Sequence, residues 1–171
     1  MDPFQRYYVS AINFLKYRPR SEKEVRDRLI YPKNKRKAGR ASDIDKEVVE
    51  QVIAKLKEQK FINDAEFIRW WIDQRTRFKP RSMRLIKQEL HMKGISSEDI
   101  DEAMGSNITN YDPPAGGTIT HDLAQAKALV AKKIPRYSKL PEDKKKEKLM
   151  RLLASRGFSY DTIKDVLKYL A

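Results

Sequence analysis

The sequence predicts an all-α fold: three tandem three-helix repeats in an elongated array of helix-turn-helix-like units. Three observations carry that expectation. A hinge recurs with identical spacing, Leu90, Gly94, Ile95, Ser96, Ile100 and Met104 matching Leu153, Gly157, Phe158, Ser159, Ile163 and Leu167. Upstream, Pro19-Arg20-Ser21 recurs as Pro80-Arg81-Ser82, each preceded by an aromatic-basic pair, Tyr17-Arg18 or Phe78-Lys79, and followed by matching apolar positions, Val25 and Leu29 against Ile86 and Leu90. The β-branched residues fall at helical spacing, as in Val48, Val49, Val52 and Ile53, rather than alternating as a strand requires. Such self-similarity indicates stacked units of about 50 residues that share their cores with neighbours.

In chain order, the first repeat (1–62) is expected to hold helices over 3–17, 21–30 and 44–58, with Ser21 and Glu24 at capping-box spacing. A basic insertion at 31–40 interrupts it, after which Ile44, Asp45, Val49 and Ile53 take the places of Ile95, Ser96, Ile100 and Met104. The second repeat (63–104) is expected to hold helices over 63–77, 82–93 and 96–104, and Asn63 and Glu66 again have capping-box spacing. Residues 105–119, with Pro113-Pro114 and Gly116-Gly117, have the composition of a flexible linker. The third repeat (120–171) is expected to hold helices over 120–134, 141–156 and 159–170. At the hinges, Gly94 and Gly157 suit the left-handed C′ position of a helix. Leu90 then falls at C3 and Ile95 at C″, the apolar pair of a Schellman cap, and Ser96 caps the next helix.

Composition narrows the function classes. Charged residues make up 36% and apolar residues 40%, enough for helical-bundle cores beneath a heavily charged surface. With no cysteine, a disulfide scaffold and thiolate chemistry are excluded. No apolar run approaches the length of a membrane span, and the amino end carries Asp2 and Arg6 without a signal-like core, so a soluble, cytoplasmic protein is expected. His91 and His121 lack the i, i+4 partner of a helical metal site and are expected at the surface or at helix ends. There is no phosphate-cradling glycine loop and no serine-histidine-acid arrangement. The carboxylates of 98–102 follow Ser96-Ser97, where negative charge stabilises a helix start. Neither catalysis, a cofactor nor a metal is expected.

Charge supplies the functional clue. The net charge of +13 points to an acidic partner, nucleic acid first. Eleven basic residues stand against three acidic ones from Lys16 to Arg40, eight against two from Arg69 to Lys93, and nine against three from Lys132 to Arg151. By contrast Glu98, Asp99, Asp101 and Glu102 lie in a stretch without lysine or arginine. A basic second helix in each repeat would form a stripe contacting successive phosphates, although charge alone reads no base sequence. Among the aromatics, Phe67 and Trp71 lie four apart and are expected in the core. Trp70 points about 100° away and is the candidate surface contact, while Tyr17 and Phe78 are expected as core anchors.

The order of these residues resembles the RecX family of bacterial recombination regulators. The match runs through Leu15, Arg18, Arg20, Ser21, Glu24 and Leu29, then Val49, Ile53, Leu56 and Phe61, then Asp64, Phe67, Arg75, Leu90, Lys93, Gly94 and Ile95. Leu149, Leu153, Arg156, Gly157, Phe158 and Ile163 complete it. Its most specific parts are Asn63-Asp64-Ala65-Glu66-Phe67, the Leu-x-x-Lys-Gly-Ile hinge and the closing Arg-Gly-Phe-Ser. A monomer is expected; separately, the resemblance implies tandem three-helix repeats without catalytic activity. It also implies binding to the RecA recombinase filament in its groove on single-stranded DNA, which restrains filament growth, ATP hydrolysis and strand exchange. Duplex DNA is a further candidate ligand. On that reading the groove contacts are Arg18, Arg20, Arg26, Arg75, Arg77, Lys79, Arg81, Arg84 and Lys87, with Lys132, Lys133 and Arg136 beside them, and Gly94 and Gly157 are structural hinges. The 31–40 insertion and the 105–119 linker depart from the family pattern. The alternative is a direct DNA-binding protein whose hinge works as a helix-turn-helix, against which stand the carboxylates after Gly94.

Overall fold

Capping side chains start several helices of this computed structural model, which describes residues 2–31, 45–105 and 118–168. In the first repeat, α1 spans Pro3–Leu15, α2 Glu22–Ile30 and α3 Lys46–Glu58. Ser21 and Glu24 form the reciprocal capping box at the start of α2, and Asp45 accepts the Glu47 and Val48 backbone N–H groups at the start of α3. The second repeat holds α4 (Asp64–Phe78), α5 (Met83–Met92) and α6 (Ser97–Gly105), and the third α7 (Thr118–Tyr137), α8 (Glu142–Ser155) and α9 (Tyr160–Lys168). Asn63 Oδ1 accepts the Glu66 N–H (3.2 Å), Ser96 Oγ the Asp99 N–H (3.0 Å) and Ser159 Oγ the Thr162 N–H (3.2 Å). Among the described residues the regular structure is all helical. The expected insertion lies outside them but for Tyr31, and the expected linker is described only at Gly105 and 118–119.

The chain divides into two compact units, Met1–Trp70 with Leu90–Ala103, and Trp71–Glu89 with Met104–Ala171. In the first, α1, α2 and α3 pack on one another around Ala11, Val25, Leu29, Val49, Val52, Ile53, Leu56 and Ile62. Phe4, Tyr7, Ile12 and Leu15 of α1 pack against this core. In the second, α7, α8 and α9 enclose Ala126, Leu129, Val130, Leu149, Leu153, Phe158, Ile163 and Val166. Leu149 and Leu153 are fully buried, each contributing about 1.5–3 kcal/mol of apolar burial.

The two glycine hinges have one geometry. Gly94 has φ +84° and Gly157 φ +81°, in the left-handed region that glycine enters at least expense. The Ile95 N–H donates to Leu90 O (3.1 Å) and the Gly94 N–H to His91 O (2.9 Å). Phe158 donates to Leu153 O (3.3 Å) and Gly157 to Ala154 O (2.9 Å), the same Schellman pair of bonds. A third helix end uses the same turn without glycine. Lys60, at φ 58°, follows α3, and the Phe61 N–H donates back to Leu56 O (2.9 Å).

Three expectations are corrected. Tyr17 and Phe78 are not core anchors: they are 85% and 71% exposed. Pro19 disfavours helical backbone in the residue before it, and α1 stops at Leu15, so Tyr17 stands on the corner rather than on an apolar helix face. Phe78 is the last residue of α4, next to the equivalent Lys79-Pro80 corner. Of the two places expected for His121, the structure gives the helix end and not the surface: it lies in the first turn of α7 and is 1% exposed. At its other end α7 runs to Tyr137, past the expected stop at 134, since Pro135 lies in the last turn, where it removes one backbone donor without ending the helix.

Candidate functional site

The Pro-Arg-Ser corner that opens the second helix of repeats one and two is the most elaborately bonded part of each unit. In the first unit, Ser21 Oγ donates to Lys93 O (2.8 Å), beside the Gly94 hinge, and Asp64 Oδ1 accepts the Glu22 N–H (2.9 Å). In the second unit, the Ser82 N–H donates to Arg156 O (3.0 Å), beside the Gly157 hinge, and Asp122 Oδ1 accepts the Met83 N–H (2.8 Å). Each hinge thus clasps the start of the preceding repeat's second helix, and the first turn of the next repeat caps it. The glycines are required for this approach as well as for φ. A Cβ on Gly94 would lie 2.7 Å from Lys23 Cβ, and one on Gly157 would lie 2.8 Å from Ser82 Oγ.

Carboxylates at the corners hold several of the candidate cations. Arg18 makes a two-pronged contact with Glu24 (2.7 and 3.1 Å), and Lys93 Nζ reaches the same carboxylate at 2.7 Å. Burial pushes the Glu24 carboxyl up, but the hydrogen bonds and charges of Arg18 and Lys93 outweigh it and hold the group below the usual carboxylate range. Glu22 behaves alike: burial raises it, and Lys57 and Arg26 bring it below that range. Asp64, which accepts a backbone N–H, is raised by burial. Arg26 pairs with both Glu50 (2.7 Å) and Glu22 (2.9 Å), which raises its pKa, Glu50 having the largest effect. Arg20 lies 3.9 Å from the Phe14 ring centroid, and burial followed by the Arg18 charge lowers its pKa. In the second unit the 8%-exposed Glu89 accepts from Trp71 Nε1 (2.9 Å), Arg75 Nε (2.6 Å) and Arg81 Nη1.

The candidate cations therefore fall into two sets. Arg18, Arg26, Arg75 and Arg81 are built into ion-pair clusters, and Arg20 is stacked. Arg77 is 67% exposed in a surface pair with Asp73, and Lys79, Arg84, Lys132 and Arg136 are exposed, with Lys87 and Lys133 half-buried. Phe67 and Trp71 are buried as expected, whereas Trp70 is half-buried, 5.5 Å beneath the Arg18 guanidinium. Glu98, Asp99, Asp101 and Glu102 of α6 are all exposed, a poor face for entering a nucleic-acid groove.

A groove of about 460 Å³ in the first unit gathers residues the sequence did not connect. Lys16, Tyr17, Arg18 and Arg20 line one side, and Lys60 and Phe61 the other. Tyr17 is 85% and Phe61 52% exposed. Among the described residues no group of histidines and carboxylates is assembled to hold a metal ion, and no helix is long and apolar enough to cross a membrane.

Three-helix domains with glycine hinges and capped, charged corners define a helix-turn-helix-like repeat protein. Three domain models of one family match the chain: the RecX first three-helix domain over 8–30, the second over 63–104 and the third over 121–167. The chain belongs to the RecX family. It is 26% identical to the regulatory protein RecX of Oceanobacillus iheyensis over 99% of its own length and 55% of that protein's. With the regulatory protein RecX of Streptococcus uberis it shares 30% identity over 91% of its length and 52% of that protein's. It thus spans about half the length of these curated relatives. The crystal structure of RecX from Lactobacillus salivarius superposes with a TM-score of 0.67 at 26% identity, covering 98% of this chain and 96% of that one. A second RecX crystal structure gives a TM-score of 0.67 at 24% identity, a likeness of fold alone, over 96% of this chain and 73% of the other.

Proposed function

We propose that this chain is a non-catalytic regulator of the RecA recombinase, binding as a cytoplasmic monomer in the groove of the RecA filament on single-stranded DNA. There it restrains filament growth, ATP hydrolysis and strand exchange. The observation that carries the reading is the recurrence, on a RecX scaffold, of an exposed aromatic at a basic Pro-Arg-Ser corner, Tyr17 beside Lys16 in the first repeat and Phe78 beside Lys79 in the second. A repeated corner suits a repeated target, as successive protomers and phosphates of a filament provide. The filament is restrained only to the extent that the chain prefers a non-productive state over the active one.

The exposed cations, rather than those bonded to Glu24 and Glu89, are the better contacts: Lys79 and Arg84 face water, and Arg77 is held only in a surface pair with Asp73. Co-sedimentation with RecA assembled on single-stranded DNA tests this. Charge reversal of Arg77, Lys79 and Arg84 together is expected to weaken filament binding at least tenfold, with the helical circular dichroism signal retained. Unchanged binding by the folded triple variant would remove these residues from the interface, and no binding by the wild-type chain would refute the function.

A further inference from the structure

We infer that the groove between the Tyr17 corner and the end of α3 is a stacking site for unpaired nucleotide bases, with Tyr17 and Phe61 as its two platforms. The inference rests on the reading that the chain meets single-stranded DNA, and it assigns that contact to a definite place. The groove leaves two aromatic rings in contact with water and surrounds them with charge.

The charge is predominantly positive. Lys16, Arg18, Arg20 and Lys60 line the groove against the single carboxylate of Glu66. Arg18 is already committed to Glu24, and Arg20 is stacked on Phe14, which leaves the exposed Lys16 and Lys60 as the cations free to meet a phosphate backbone. Aromatic faces bracketed by lysines match a single strand, whose bases offer π-faces and whose backbone supplies one negative charge per residue. A base stacked on an aromatic contributes affinity that alanine substitution of that aromatic removes, and the contact tolerates any sequence. A duplex keeps its bases stacked on one another and cannot use the platforms.

Backbone strain marks the same place. Lys60 occupies the left-handed conformation at φ 58°, where glycine or asparagine usually ends a helix. The bend it makes sets Phe61 immediately after it, with its N–H bonded to Leu56 O (2.9 Å), at the mouth of the groove. A lysine here keeps a cation on the rim at the very residue that turns the chain.

Fluorescence anisotropy with a labelled oligothymidine of about a dozen nucleotides, compared with a duplex of equal length, tests the assignment. Replacing both platforms, Tyr17→Ala with Phe61→Ala, is expected to lower single-strand affinity about tenfold or more while leaving duplex affinity within twofold. The dependence of affinity on salt is expected to keep its slope, since no phosphate contact is removed. Equal single-strand affinity of variant and wild type would overturn the proposal. So would a variant that binds the oligonucleotide normally but loses the recombinase filament, because the groove would then hold protein. Failure of the wild type to bind any oligonucleotide would instead sink the underlying claim of contact with DNA. If the double variant unfolds, Tyr17→Trp keeps the question open to measurement: its fluorescence is expected to be quenched on oligothymidine binding, and an unquenched signal at saturation would overturn the stacking.

Discussion

Replacing Gly94 by alanine isolates the hinge that organises the first unit. Alanine at φ +84° occupies the left-handed region at about 1 kcal/mol above glycine. Its Cβ would stand 2.6 Å from Lys23 Cδ and 2.7 Å from Lys23 Cβ, so the α2 side chain and its backbone must both give way. A contact of that kind adds about 1–2 kcal/mol, for a total of about 2–3 kcal/mol. The hinge bonds Ser21 to Lys93 O, so a shift there also loosens the start of α2. Urea denaturation followed by tryptophan fluorescence is a suitable assay, because Trp70 lies in the same unit as Gly94. Adding Lys23→Ala to the Gly94→Ala variant removes the Cδ contact but keeps a Cβ, so it is expected to restore part of the loss and leave at least the backbone cost of about 1 kcal/mol. A loss below about 0.5 kcal/mol, or complete restoration by Lys23→Ala, would refute the reasoning.

At Lys60, where φ is 58°, glycine is expected to stabilise the fold by about 0.5–1 kcal/mol, read as a higher urea midpoint at unchanged slope; destabilisation would show that the lysine side chain has a packing role. Glu89→Ala is expected to cost about 2–4 kcal/mol, since it strands Arg75 and Arg81, which are only 21% and 34% exposed, and leaves Trp71 Nε1 without its acceptor; thermal melting within two degrees or so of wild type would contradict this. Glu24 has a folded-state pKa below its unfolded one, so its stabilisation is present above the carboxylate range and is lost as pH falls through the folded value. Glu24→Gln is therefore expected to flatten the acid side of the stability curve. Asp64, raised by burial, has the opposite sign, and Asp64→Asn is expected to steepen that side; a shared direction of change would refute the assignment.

The repeats were legible because their signals are local. Cap serines, hinge glycines and apolar positions three or four apart each report a backbone requirement within one turn, and the helix ends came out within a few residues of the structure. What escaped were pairings that depend on distant chain. Nothing in Asp64 or Asp122 announces that it caps a helix start 42 or 39 residues away, respectively. Tyr17 and Phe78 read as core because aromatic rings are expensive to expose, yet the helices stop at or just before them at the Pro19 and Pro80 corners and leave both rings exposed. The Lys60 turn had no glycine to reveal it, so the far wall of the groove was invisible. Among the candidate cations, sequence could not separate those neutralised by Glu24 and Glu89 from those facing water, because that sorting is made by the fold.

The central claim, regulation of a recombinase filament, is tested most directly by single-stranded-DNA-dependent ATP hydrolysis by RecA, measured as this chain is titrated in. The account predicts that hydrolysis slows when the chain is present at or below the recombinase concentration, with the chain bound to the assembled filament. Undiminished hydrolysis, with no chain on the filament, would contradict it.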